Sequence, residues 1–496
     1  MKVNSLLTAG LIAATPVVGA KAANAAKMDV MMEIKQKQWA EAAERGMFGG
    51  SKLYKKVSSV VPCVDGYSGE YQCNNVDMHA FLSHEDMGST NVTGNDIWGW
   101  TSPKGREFGI VGQTDGVAFV EVNTKTGGLE YLGRLATQTV VTSWRDIKVI
   151  GHHAYIGSEA EGHGMQIFDL NKLLGDGSSW RSWKSSREPK VYDIQTDLTA
   201  WYTGFGASHN LVAHEEVNMI YAVGGRSGAN TRNTTCAGGM FMVDVSDPAN
   251  PYSPGCAPQD GYVHDAQCVI YKGPTVEYHG REICFNFNED TLTVMDMTDK
   301  SAPQVISRTP YVGNEYTHQG WLTSDDMEYL LLDDELDELN AVGPAGYPIA
   351  EGEYPTADVI SDESTGIGES TPNNRTTTYI FDVKDLHAPK NTGYYQSPAK
   401  SIDHNQYVID GLSYQANYGS GLRIIDVSGL PQDPTGANIH QTGFFDCHPE
   451  DDATNGVVEF LGTWSSYPYF KSGYILLNSI ERGVFSLKYT GPGKEY

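Results

Sequence analysis

Basic residues are scarce in this chain: 35 Lys and Arg stand against 62 Asp and Glu over 496 residues, a formal net charge of -27. A phosphate backbone or an anionic membrane surface is drawn to clustered Lys and Arg, so nucleic acid is excluded as a partner class. Apolar runs are scarce as well. The one at 6–18 is short for a bilayer span, follows Lys2 and ends in Val18-Gly19-Ala20. A basic start, an apolar run and a small-residue cleavage pattern mark a signal peptide at 1–20, which predicts a secreted, extracellular mature chain with no membrane span. Neither Ser227 nor Ser420 sits in a G-x-S-x-G elbow, and no glycine loop cradles a phosphate. A serine hydrolase is left without support.

Glycine and aromatics are plentiful: 54 Gly, 28 Tyr, 15 Phe and 9 Trp suit short strands joined by many turns. The stretch GLRIIDVSGL at 421–430 is a glycine turn, an alternating strand placing Leu422, Ile424 and Val427, and an Asp-Val-Ser exit. Six stretches match it, at 116–123, 164–170, 239–248, 291–299, 377–385 and 483–489. Such a unit cannot bury both faces alone, so seven of them predict an all-β, seven-bladed β-propeller over 76–489. A disulfide-pinned lead-in occupies 21–75 and a polar tail 490–496. Within the lead-in, Val30, Met31, Ile34 and Trp39 give 28–45 the pattern of one amphipathic helix ended by Gly46. No chemistry is assigned to it. The Gly- and Pro-rich insertion at 341–374 is expected to be a long exposed loop.

Cysteine usage agrees with export. Six of the seven cysteines fall into local pairs, Cys63 with Cys73, Cys236 with Cys256 and Cys268 with Cys284, and Cys447 is left over. Asn91, Asn233 and Asn374 each begin an N-x-Ser/Thr acceptor for glycosylation in a polar stretch.

Counting back from each acidic strand aligns one position at the start of the innermost strand of every blade: Asp96, Asp146, His209, His264, His318, His404 and Trp464. Innermost strands line a propeller's axis, so this column predicts a ring at the channel mouth in which the four imidazoles converge and Asp96 and Asp146 complete the circle. Turns after the second strands return to the same face. They carry Glu159 and Glu161, Glu289 and Asp290, the run Asp333, Asp334, Glu335, and Glu481. Converging neutral imidazoles are ligands for a divalent transition metal, with Asp265 and Asp403 as candidate carboxylates behind the histidines beside them. The run at 333–338 offers oxygen ligands for calcium but lacks EF-hand spacing, and a solvated acidic turn is expected there.

The motifs His-Asp-Ala-Gln-Cys at 264–268, Tyr-Thr-His-Gln-Gly-Trp-Leu at 316–322, Leu-Asp-Asp-Glu-Leu-Asp-Glu at 332–338, Asp-His-Asn-Gln-Tyr at 403–407 and Ser-Ile-Glu-Arg-Gly-Val-Phe at 479–485 accompany the Leu-Arg-Ile-Ile-Asp-Val strand. Together they resemble the choice-of-anchor B family of LVIVD-repeat propellers, from about Pro62 to Leu487. The resemblance implies an exported or cell-surface propeller with no established reaction. No apolar tail follows Tyr489, so free secretion is expected rather than anchoring. Two function classes follow. One is an extracellular binding module for a protein, glycan or small molecule. The alternative is a metal-dependent enzyme, an oxidoreductase or hydrolase, that uses the axial histidine cluster.

Overall fold

The computed structural model describes residues 25–175, 188–225, 236, 238–339 and 374–492. The signal at 1–20, the acceptor Asn233 and nearly all of the 341–374 insertion lie outside them. Seven sheets follow one another along the chain as the blades of a propeller, antiparallel throughout except where Lys190–Tyr192 adds a parallel edge strand to the first. Their innermost strands are Gly94–Thr101, Ile147–Ile150, Asn210–His214, Asp265–Ile270, Thr317–Leu322, Asn405–Ile409 and Thr463–Tyr467, in blades one to seven. The repeated stretch supplies the third strand of each blade, as in Leu422–Asp426 between Leu412–Ala416 and His440–Phe445. Leu422, Ile424 and Val427 are all buried.

Blades pack through their faces, which is why one unit does not suffice. Phe285, Phe287, Leu292 and Val294 of the fourth blade share a core with Leu330, Leu332, Tyr379 and Phe381 of the fifth. Ring closure uses the chain's early part. Val76–Ser83 pairs antiparallel with Gly483–Tyr489, so the seventh blade is built from both ends of the propeller and the ring is closed. The lead-in continues onto the sixth blade, where Tyr71–Asn74 extends the sheet through Cys73↔Phe445 and Asn74↔Phe444.

All three expected disulfides are present, with Cα–Cα separations of 6.0 Å for Cys63–Cys73, 5.7 Å for Cys236–Cys256 and 4.0 Å for Cys268–Cys284. Cys268 and Cys284 face each other on adjacent strands. Cys447 is free and buried beside the Thr463 hydroxyl, and burial pushes its thiol pKa up. Asn91 is exposed, whereas the Asn374 amide donates to the Glu338 carbonyl at 2.7 Å. Among the described residues, no helix is long and apolar enough to cross a membrane.

The expected helix runs over Ala25–Glu44, three residues ahead of the boundary read from the sequence, and is named α1. Val30 is exposed while Met28 and Met31 are buried, so the packed stripe is rotated from the one expected.

At the closing seam the Phe485 ring lies 4.6 Å from that of Phe81, 5.4 Å from that of Tyr71 and 5.4 Å from that of Phe445. Phe485→Ala should therefore cost roughly 3 to 5 kcal/mol of stability, read from urea unfolding. A loss near zero would contradict closure through this strand pair.

Candidate functional site

At the start of the innermost strands six rings form a closed circle. Centroid separations are 5.8 Å for Trp144–His209, 4.2 Å for His209–His264, 4.4 Å for His264–His318, 4.5 Å for His318–His404, 5.1 Å for His404–Trp464 and 5.0 Å for Trp464–Trp144. The four histidines thus converge as the column predicts. Asp96 and Asp146 do not complete the circle; Trp144 takes the place of the second blade. In the first blade the corresponding strand starts at Gly94, where a Cβ would meet the His84 ring at 2.4 Å.

The two aspartates instead tie neighbouring blades together. Asp96 Oδ2 accepts from the Ile147 N–H at 2.9 Å and Asp146 Oδ2 from the Leu211 N–H at 2.6 Å. Lys148 bonds Asp146 at 2.6 Å, lies 3.7 Å from Asp96 and stacks over Trp98 at 4.9 Å. Burial pushes the Asp96 carboxyl up to about 8 against the pull of Lys148, and Asp265, in the same group, up to about 7. Further along the strands Trp98, Trp321 and Tyr469 pack round Tyr407, at 5.1 to 5.7 Å from it.

Each imidazole is anchored through Nδ1. His264 Nδ1 donates to the His318 carbonyl at 2.9 Å and His404 Nδ1 to the Trp464 carbonyl at 2.5 Å. His318 Nδ1 meets Asp333 at 2.9 Å and His209 Nδ1 meets Glu159 at 2.6 Å. The partners therefore differ from the expected Asp265 and Asp403: Asp265 Oδ1 accepts from the Ala266 N–H at 2.7 Å, and both Asp403 oxygens are buried with no hydrogen-bond partner among the described residues. Burial, reinforced by neighbouring imidazoles, holds His264 and His318 well below the usual histidine range. Burial likewise lowers His404 to about 4, against the pull of Glu335.

The run 333–338 is not solvated. Asp333, Asp334, Glu335, Asp337 and Glu338 are all buried, because this turn dips into the mouth beneath α1. Asp333 accepts from the Gln319 N–H at 3.0 Å and the Gln406 amide at 3.0 Å, and Asp334 from the N–H groups of Glu315 and Tyr316 at 2.9 and 2.7 Å. Glu335 Oε1 accepts from Tyr418 at 2.6 Å and from Lys35 at 2.7 Å. Burial alone would raise Glu335; Lys35 and these donors outweigh it and leave the carboxyl below its ordinary value.

Lys35 comes from α1, and only 1% of its side chain is exposed. Its ammonium lies 4.6 Å from the Phe460 ring, 4.8 Å from Trp144, 5.7 Å from Trp464 and 5.8 Å from Tyr418. Met28 and Met31 seat the helix against Tyr316, Tyr418 and Phe460. Trp39 Nε1 donates to the Phe460 carbonyl at 2.7 Å. The lead-in helix, to which sequence reading assigned no chemistry, thus caps the ring with a cation. The signal was there: Lys35 follows Met28 and Met31 at helical spacing, a charge on the apolar stripe.

Among the described residues, two triads have ligand atoms within 4.8 Å of one another: buried His264, His318 and Glu335, and the more exposed His152, His153 and Asp169. His318 Nε2 stands 3.8 Å from Glu335 Oε2, and His404 Nε2 stands 3.7 Å from Glu335 Oε1. His264 Nε2 and Glu335 Oε2 are buried with no hydrogen-bond partner among the described residues.

No family model and no curated protein matches the chain. Among solved structures, the chain is similar to a Bacteroides uniformis protein proposed to be a 6-phosphogluconolactonase, with a TM-score of 0.43 and 11% identity over 79% of this chain and 99% of that one.

On the same face, Glu481 and His448 form a buried pair at 2.7 Å. Burial opposes both charges, but each partner favours the other, placing His448 at about 9 and Glu481 at about 2. The histidine's contribution is full below its unfolded value of 6.5 and is lost as pH rises through about 9; the carboxylate's is full above 4.5 and lost as pH falls through about 2. Unfolding free energy should therefore fall from about pH 6.5 to about pH 9.5 more steeply in the native chain than in His448→Gln/Glu481→Gln. Parallel profiles in urea titrations would contradict the pairing.

Proposed function

We propose that the chain is an exported extracellular binding module, and that its ligand site is the cation cage at the axial mouth. Export is supported by the signal pattern at 1–20 and by three disulfides, which form and persist in oxidising compartments. The observation that carries the binding reading is the seat of Lys35. An ammonium held against Trp144, Phe460 and Trp464 and paired with Glu335 is the chemistry by which proteins recognise cationic groups. Burying that charge costs several kcal/mol, which the carboxylate and ring faces offset only because the cage is built for it. A cationic side chain of an extracellular protein, or a small amine, fits the same cage once α1 withdraws.

Chemical rescue tests this reading. Lys35→Ala empties the cage of its ammonium, and n-butylammonium should raise the variant's thermal midpoint in the millimolar range while n-butanol does not. The native chain, in which Lys35 competes for the cage, should respond more weakly to the amine and not to the alcohol. Equal rescue by the alcohol, or none by the amine, would contradict a cation cage.

A further inference from the structure

We infer that the mouth also binds one divalent transition metal ion, through Nε2 of His264, His318 and His404 and the free carboxylate oxygen of Glu335. This rests on reading the mouth as a cation site and names a second cation for it. Backbone carbonyls only accept, so the protons of His264 and His404 sit on Nδ1, and each Nε2 presents a lone pair. The Nδ1 of His318 is likewise held, by Asp333. Such outer partners are what fix a metal-bound imidazole in its tautomer and orientation.

The spacing fits a small ion. Ligand atoms about 2.1 Å from a tetrahedral centre lie about 3.4 Å apart. His318 Nε2 stands 3.8 Å from Glu335 Oε2, His404 Nε2 stands 3.7 Å from the other oxygen of the same carboxylate, and the ligand atoms of His264, His318 and Glu335 lie within 4.8 Å of one another, so side-chain movements of about an ångström bring the set round one ion. Three imidazoles with one carboxylate select a borderline metal such as zinc or cobalt over calcium, which prefers an all-oxygen shell. Lys35 engages Oε1, leaving Oε2 without a donor. Both oxygens of Asp403, both of Glu338 and Oδ1 of Asp337 are also buried with no hydrogen-bond partner among the described residues, and burial raises these three carboxyls well above the ordinary range. Oxygens left so are costly unless a proton or a cation meets them. His209 stays outside the set, since it meets Glu159 and, unlike His318 and His404, no oxygen of Glu335.

Chelator-stripped, full-length mature protein titrated with Co2+ tests this by visible absorption and calorimetry. One equivalent should bind, giving the intense d–d bands of a tetrahedral centre. His264→Ala/His404→Ala should weaken uptake by about 100-fold or more, while His152→Ala/His153→Ala, at the more exposed triad, should leave it unchanged. Glu335→Gln is the second variant should the double alanine change unfold the ring, and it too should weaken uptake. No uptake by the stripped native chain, or uptake lost with the exposed triad and kept by the axial variants, would overturn the proposal. Butylammonium rescue reads the ring faces and Co2+ uptake reads the imidazoles, so either can fail alone.

Discussion

The buried pair of Lys35 with Glu335 is the contact on which the arrangement of the mouth depends. An isolated charge at such depth is prohibitive, so each ion requires the other, and the two belong to segments 300 residues apart. Holding Lys35 in place fixes α1 across the axis. Holding Glu335 in place draws the turn after the fifth blade's second strand inward, which buries an acidic run that a short polar segment would otherwise show to water. The ring of six aromatic side chains is then buried instead of forming the rim of an open channel.

What places these groups is the propeller's repetition. Blades two to seven each begin the innermost strand at the same height, so one ring from each arrives at the axis at or just before that strand's start. Rigid strands, closed by pairing Val76–Ser83 with Gly483–Tyr489, hold the imidazoles 4.2 to 4.5 Å apart. Three layers follow along the axis: the imidazole and indole ring, the aspartates round Lys148, and the aromatic pack round Tyr407. Only the first combines lone pairs, ring faces and a carboxylate in one place.

Much of this was legible in the sequence. Blade count, disulfide pairs and the convergence of His209, His264, His318 and His404 all follow from a repeat with fixed register, because register converts spacing into position. The errors came where register slips or where partners are distant. Counting back from the acidic strand put Asp96 and Asp146 in the ring, yet they serve as staples to Ile147 and Leu211, and Trp144, two residues earlier than Asp146, fills the gap. Asp265 and Asp403 were expected behind their neighbouring histidines, but two backbone carbonyls and Asp333 do that work, and backbone acceptors leave no mark in composition. The burial of 333–338 was unreadable for another reason. Solvation of an acidic turn is the local expectation, and it is overturned by one lysine in a helix at the other end of the chain.

The central claim is that the Lys35–Glu335 pair locks α1 over the axial mouth, and native-state hydrogen exchange across α1 tests it most directly. With Glu335→Leu, which leaves the ammonium buried and unpaired, amides of α1 should lose protection by roughly 100-fold to 1,000-fold or more, since breaking such a pair costs roughly 3 to 5 kcal/mol. Amides in the strands of the second and third blades should exchange as in the native chain. Unchanged protection of α1 in that variant would contradict the account.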